Sequence, residues 1–156
     1  MQAMTHFLVG ILIYKIFEIY IGYSNTLLGI LLYFLIILSH IIVDTFGYIT
    51  YHVPDPRPKD KFWVSFHILT FILTLFVAVL FIKLYFWPMF FSVLIDIIDW
   101  LILRAILKKK PVFHPLIDKF RNKFFFWLPN WIEKKWAVIN EFIILLFLGL
   151  GVYYLN

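Results

Sequence analysis

The chain has 156 residues, of which 63% are hydrophobic, 22% aromatic and only 15% charged. Soluble domains carry about 25% charged residues and could not hide this much Phe, Ile and Leu, so the composition signals a polytopic membrane protein. Cysteine is absent, which excludes disulfides and thiolate metal sites.

A helix needs roughly 20 apolar residues to cross about 30 Å of hydrocarbon. Five segments meet that requirement, at about 5–23, 26–48, 63–86, 87–107 and 136–155. The opening "MQAMTHF" has no basic flank and no cleavage-like sequence follows, so the first segment is expected to be retained. "YSNT" should turn the first pair tightly and "FWP" the second, with Pro88 in the first turn of the new helix. Longer polar connections lie at 49–62, which includes the partly extended "VPDPRPKDK", and at 108–135. The expected fold is a single all-α membrane domain, 1–156, built as a bundle of five transmembrane helices.

Of the 14 basic residues, all but Lys15 and Lys83 fall on the side of the two long connections. The positive-inside rule therefore predicts a multi-pass protein of the cell membrane with its N-terminus and long loops cytoplasmic and its C-terminus, Asn156, outside. The same asymmetry argues against a nucleic-acid partner, because these residues would face the anionic headgroups of membrane lipids.

The second long connection contains its own periodicity. Phe113, Leu116, Ile117, Phe120, Phe124 and Trp127 follow helical spacing, with Asp118, Lys119, Arg121, Asn122 and Lys123 opposite. An amphipathic helix over about 113–128 should lie in the cytoplasmic interface with its aromatic face in the headgroups. Pro129 should end it, and Asn130 with Glu133 forms a capping box for the last helix.

Ionisable residues within hydrocarbon are expensive and are functional candidates by default. His6 opens the first span; His40 and Asp44, at i and i+4, share a face near the end of the second; His67 lies one turn into the third. Asp96 and Asp99, at i and i+3, follow in the fourth, and Glu141 enters the fifth, where it can meet Lys134 or Lys135. Helical rise places all of these within roughly 5–17 Å of the cytoplasmic boundary. Imidazole and carboxylate are the usual ligands for zinc, manganese or iron, and a divalent ion, with zinc expected and manganese or magnesium the alternatives, relieves the repulsion of clustered carboxylates. His6, His40, Asp44, His67, Asp96 and Asp99 are the expected metal ligands, with Asp99 also a candidate catalytic carboxylate. His52 and His114 read as interfacial loop histidines that nothing singles out. Arg57 suits an anionic headgroup or phosphate. No G-x-S-x-G, Walker or H-E-x-x-H pattern occurs, and "DIIDW" lacks the remainder of the alcohol phosphatidyltransferase motif.

"THFLVG" (Thr5, His6, Gly10), "HIIVDTFG" (His40, Asp44, Gly47), Arg57, "SFH" (His67) and the acidic pair Asp96 and Asp99 together resemble small membrane-bound metal-dependent hydrolase families that include compact archaeal members. The match covers roughly residues 5–107, although the P-D-x-D-H and H-R-G-x-T-H-S blocks of those families are missing. The resemblance implies a hydrolase, and with the polar slab it leads to an expected metal-dependent hydrolysis of a phosphorylated or lipid-linked substrate. The alternatives are an ion or proton pathway, which should carry polar groups through both leaflets, and a non-catalytic membrane adaptor.

Overall fold

A computed structural model describes residues 2–22, 25–53 and 56–155, and all regular structure among them is helical. In chain order the elements are α1 (Ala3–Tyr20), α2 (Thr26–Phe46, extended by a 3₁₀ turn at Gly47–Ile49), α3 (Lys61–Ser92), α4 (Leu94–Asp96, continuing as a π-helix over Ile97–Ile106), α5 (Phe113–Phe124) and α6 (Val138–Tyr154). Among the described residues, four helical stretches are long and apolar enough to cross a membrane: Ala3–Tyr20, Thr26–Ile49, Lys61–Ser92 and Lys135–Tyr154. The expected "YSNT" turn and "VPDPRPKDK" linker lie partly outside the described residues, and Asn156 wholly so.

Local chemistry sets the helix starts. Asn25 Oδ1 accepts from Leu28 N at 3.0 Å to cap α2, and Asp60 Oδ1 accepts from Phe62 N at 2.9 Å to cap α3. Helix α3 is not one rod. Tyr85 leaves the helical region (φ −125°, ψ 28°), and Pro88 follows in the first turn after this break. His67 and Asp96, on either side of the break, line one cavity. An unbroken helix would hold them roughly 44 Å apart, so the chain turns back here.

The returning segment packs on α1 at Gly10. A Cβ there would lie 2.7 Å from the Pro88 carbonyl oxygen and 2.8 Å from Ser92 Cβ, so only glycine allows this approach. Around it Leu8, Ile11, Met89 and Val152 form one apolar cluster, and Phe17, Leu32 and Ile36 form a second. Outward-facing Leu27, Phe34, Phe71, Val79, Leu84 and Phe147 are all more than half exposed, a surface suited to lipid rather than water.

At the other end, the connection after α2 is tied to the segment before α6. Trp131 N donates to Tyr48 O (2.7 Å), His52 N to Ile132 O (3.0 Å) and Asn140 Nδ2 to Ile49 O (2.7 Å). Tyr51, Val53, Phe66 and Ala137 pack beneath these bonds. The expected capping box is not formed. Helix α6 begins only at Val138, Asn130 Oδ1 instead accepts from Ile132 N at 3.4 Å, and Glu133 pairs with Arg57. The chain from Asn130 to Lys134 serves to cover the end of the bundle, which moves the helix start downstream.

Helix α5 appears where the periodicity predicts it, but it stops at Phe124, before Pro129. Its aromatic stripe is not its docking face. Phe113, Leu116, Phe120 and Phe124 are exposed, while Ile117 and Arg121 are buried. Arg121 lies over the Tyr48 ring at 4.1 Å, and Tyr48 Oη donates to Asp118 at 2.7 Å, so polar and cation–π contacts hold α5 to the end of α2.

Candidate metal centre

Each side chain of the centre owes its place to a different element. His40 and Asp44 stand one turn apart on α2, which puts both on the face turned to α1 and α4. His40 Nδ1 lies 2.8 Å from Ser92 O, and since a carbonyl oxygen only accepts, Nδ1 carries a proton, which in the neutral ring leaves the lone pair on Nε2. That lone pair faces Asp44 Oδ2 at 3.2 Å and Asp96 Oδ1 at 3.7 Å.

The second imidazole is His114, at the start of α5. Asp99 Oδ2 accepts from both His114 Nδ1 and His114 N at 2.8 Å, and its Oδ1 accepts from Val112 N at 3.0 Å. Asp99 is fully buried and orients the ring. His114 Nε2 then points at Asp96 Oδ1 (3.1 Å) and Asp44 Oδ2 (3.4 Å). Trp100 Nε1 donates towards the same nitrogen at 3.2 Å, which matches a lone pair there when the ring is neutral.

Asp96 and Asp99 therefore address opposite sides of one imidazole. Both lie on α4, where the α-helix passes into π-helix, and the wider turn separates residues that an α-helix would keep closer together.

The ligand atoms of His40, Asp44, Asp96 and His114 all lie within 4.8 Å of one another. Four ligands at zinc-type bond lengths of about 2.0–2.2 Å sit roughly 3.4 Å apart in a tetrahedron, so this spacing fits a bound cation. Lone pairs opposed to carboxylates at such distances repel unless a positive charge lies between them. Burial disfavours the charged form of His114, but hydrogen bonds to Asp44, Asp96 and Asp99 outweigh it and push its pKa up to about 10. The position favours positive charge strongly. Two nitrogen and two oxygen donors form a group that can hold a metal ion.

The other expected ligands stand at different distances from this group. His6 is buried, stacks on His40 with ring centroids 4.1 Å apart, and places Nε2 3.2 Å from Asp44 Oδ1. Neither His6 nitrogen makes a hydrogen bond among the described residues, and His40 Nε2 makes none either. Asp99 uses both oxygens on the 112–114 backbone and the His114 ring, so it stands behind the group rather than within it. His67 stands apart from the group: its Nδ1 is 2.7 Å from Trp63 O and its ring stacks on Trp63. It nevertheless lines a cavity of about 270 Å³ with Asp44, Asp96 and His114.

Arg57 is directed elsewhere, to a half-exposed ion pair with Glu133; the guanidinium on the cavity wall is Arg104, stacked 5.0 Å from the Trp100 ring. Glu141 does not meet Lys134 or Lys135 but is fully buried, accepting from Thr5 Oγ1 at 2.6 Å.

His114 is the residue that sequence reasoning passed over. Its signal was the spacing His114, Ile117, Arg121, an i, i+3, i+7 stripe of mixed polarity that forms the bundle-facing side of α5. The neighbouring aromatic stripe masks it.

No family model, curated protein or solved structure matches the chain.

Proposed function

We propose that the protein is a metal-dependent hydrolase of the cell membrane, acting at the cytoplasmic leaflet on a phosphorylated or lipid-linked substrate. The observation that carries this reading is the pair of fixed imidazoles. His40 and His114 each have Nδ1 held by an acceptor, Ser92 O and Asp99 respectively, and each turns Nε2 towards Asp44 and Asp96. This is the outer-sphere pattern that fixes the tautomer of metal-binding histidines.

Mixed imidazole and carboxylate donors favour zinc, with manganese next and magnesium least suited to nitrogen. When bound, such an ion polarises a phosphoryl or carbonyl oxygen and makes water more acidic. The chain's own residues supply the rest. Asp99 holds the His114 ring, Trp100 walls the cavity, and His67, its Nδ1 proton held by Trp63 O, has Nε2 available to take a proton from an attacking water.

The reading includes five spans, with the turn at Tyr85 separating the third from the fourth, and it puts the N-terminus and long connections in the cytoplasm by the positive-inside rule. The Thr-His, His-x-x-x-Asp and His67 resemblance to membrane-bound hydrolase families points the same way. Concentration of the ionisable cluster at one end favours an enzyme over a transmembrane ion pathway.

Elemental analysis tests the proposal. Purified wild type should retain stoichiometric metal, and a His40→Ala, Asp44→Ala double variant should retain none. Wild type without metal after gentle purification, and unable to take it up on titration, removes the basis of the reading.

A further inference from the structure

A second cavity lies beside the centre and has a different character. It measures about 350 Å³, within the range of small-molecule pockets, and runs between α2 and α5. Leu38, Ile41 and Ile42 form one wall and Leu116, Ile117 and Phe120 the other. The lining is wholly apolar.

Two relations connect this groove to the polar site. Ile117 also lines a cavity of about 200 Å³ whose other walls include Asp44, Trp100 and His114, so one side chain borders both spaces. Along α2, Asp44 follows Ile41 by three residues, which carries the groove wall to the ligands within one helical turn. A molecule occupying both spaces must be an amphiphile, with its chain between the helices and its head at the metal centre.

The head is identified by charge. Arg104, His52 and His67 stand on the wall of the cavity that contains Asp44, Asp96 and His114. The Arg104 guanidinium next to a cation site matches the several oxygens of a phosphate, which a neutral ester or amide would leave unused.

We infer that the substrate is a lipid phosphate monoester, whose acyl chain lies in the α2–α5 groove while its phosphate spans Arg104 and the metal centre. The inference rests on the metal-hydrolase reading and names its substrate class. Hydrolysis adds water across the ester: the water oxygen bonds to phosphorus, the bond from phosphorus to the lipid oxygen breaks, and that oxygen takes a proton. Lipid alcohol and inorganic phosphate result.

The experiment uses full-length, detergent-solubilised protein loaded with Mn²⁺, whose paramagnetism broadens the phosphorus resonance of a bound phosphate. The probes are dioctanoyl phosphatidic acid and glycerol 3-phosphate, which differ by the chains alone. Wild type should broaden the lipid at concentrations at least about tenfold below those needed for glycerol 3-phosphate. Leu38→Trp and Leu116→Trp fill the groove from opposite walls at exposed positions; each should keep its Mn²⁺ and its response to glycerol 3-phosphate but lose the lipid's advantage. Equal broadening of the two probes by wild type, or an advantage that survives in both variants, overturns the groove assignment and leaves the metal reading standing. Loss of Mn²⁺ from both variants also overturns it, because the groove would then support the centre rather than hold a chain. Failure of wild type to hold Mn²⁺ or Zn²⁺ overturns both readings together.

Discussion

Around Gly10, Met89 and Val152 the helices meet by shape, with a glycine giving up its side chain so that two backbones can approach. Around Asp44 they meet by charge, with α1, α2, α4 and α5 each offering an imidazole or carboxylate to a common centre. Apolar packing tolerates its own burial, whereas the charged end needs a positive charge, a bound ion or the His114 proton, to cancel repulsion between Asp44 and Asp96. The stability of the first region should be indifferent to ions. That of the second should follow them.

The contrast is tested most strongly by pH. His114 keeps its proton up to about pH 10 in the absence of metal, so an incoming ion must displace it. Apparent metal affinity should therefore rise about tenfold per pH unit as pH increases towards that value, and fall as pH decreases. Metal titrations between about pH 6 and 9 will read the slope. A flat profile would show that His114 is not a ligand.

Asp99→Asn comes next. It keeps the volume but turns an amide towards donors that now meet a carboxylate, so the His114 ring loses its fixed orientation. Metal affinity should drop about 10–100-fold with stoichiometry unchanged. Complete loss of metal would instead make Asp99 a direct ligand.

Gly10→Val acts on the other region. Its branched side chain must displace the Pro88–Ser92 backbone, at a cost of about 1–3 kcal/mol in thermal or denaturant unfolding. Because Ser92 O also holds His40 Nδ1, the loss should be at least as large with added metal as without it.

Arg57→Ala has the smallest effect. Removing an exposed ion pair costs under about 1 kcal/mol, and neither metal nor phosphate binding should change. Arg104→Ala, on the cavity wall, should weaken phosphate binding about tenfold while sparing metal. The phosphorus broadening assay separates the two arginines.

The sequence was most readable where a single helix carries the information. Hydrophobic length placed the apolar helices, i, i+4 spacing placed His40 with Asp44, and heptad-like polarity placed α5. It was least readable where the answer depends on contacts between segments. His114 reaches the centre only because α5 docks through Tyr48, Asp118 and Arg121, and the helical spacing, which put the aromatic stripe in the headgroups, does not say that Ile117 and Arg121 turn towards the bundle. Arg57 and Arg104 are equally plausible by residue type. Only the fold of the 50–60 and 130–135 segments turns the first towards Glu133 and leaves the second on the cavity wall. Glu141 looked like a surface partner for lysine because nothing local reveals that Thr5, at the other end of the chain, lies against it.

The π-helical run at Ile97–Ile106 bears on which changes of chain length the protein can accept. A π-turn holds about one residue more than the α-turn it replaces, so deleting a single residue between Asp96 and Asp99 would turn Asp99 to another face of the helix. Asp99 would rotate away from His114 although no ligand had been substituted. Loops around the bundle can drift in length, but this stretch acts as a counted spacer, and insertions or deletions within it should be as damaging as loss of a histidine.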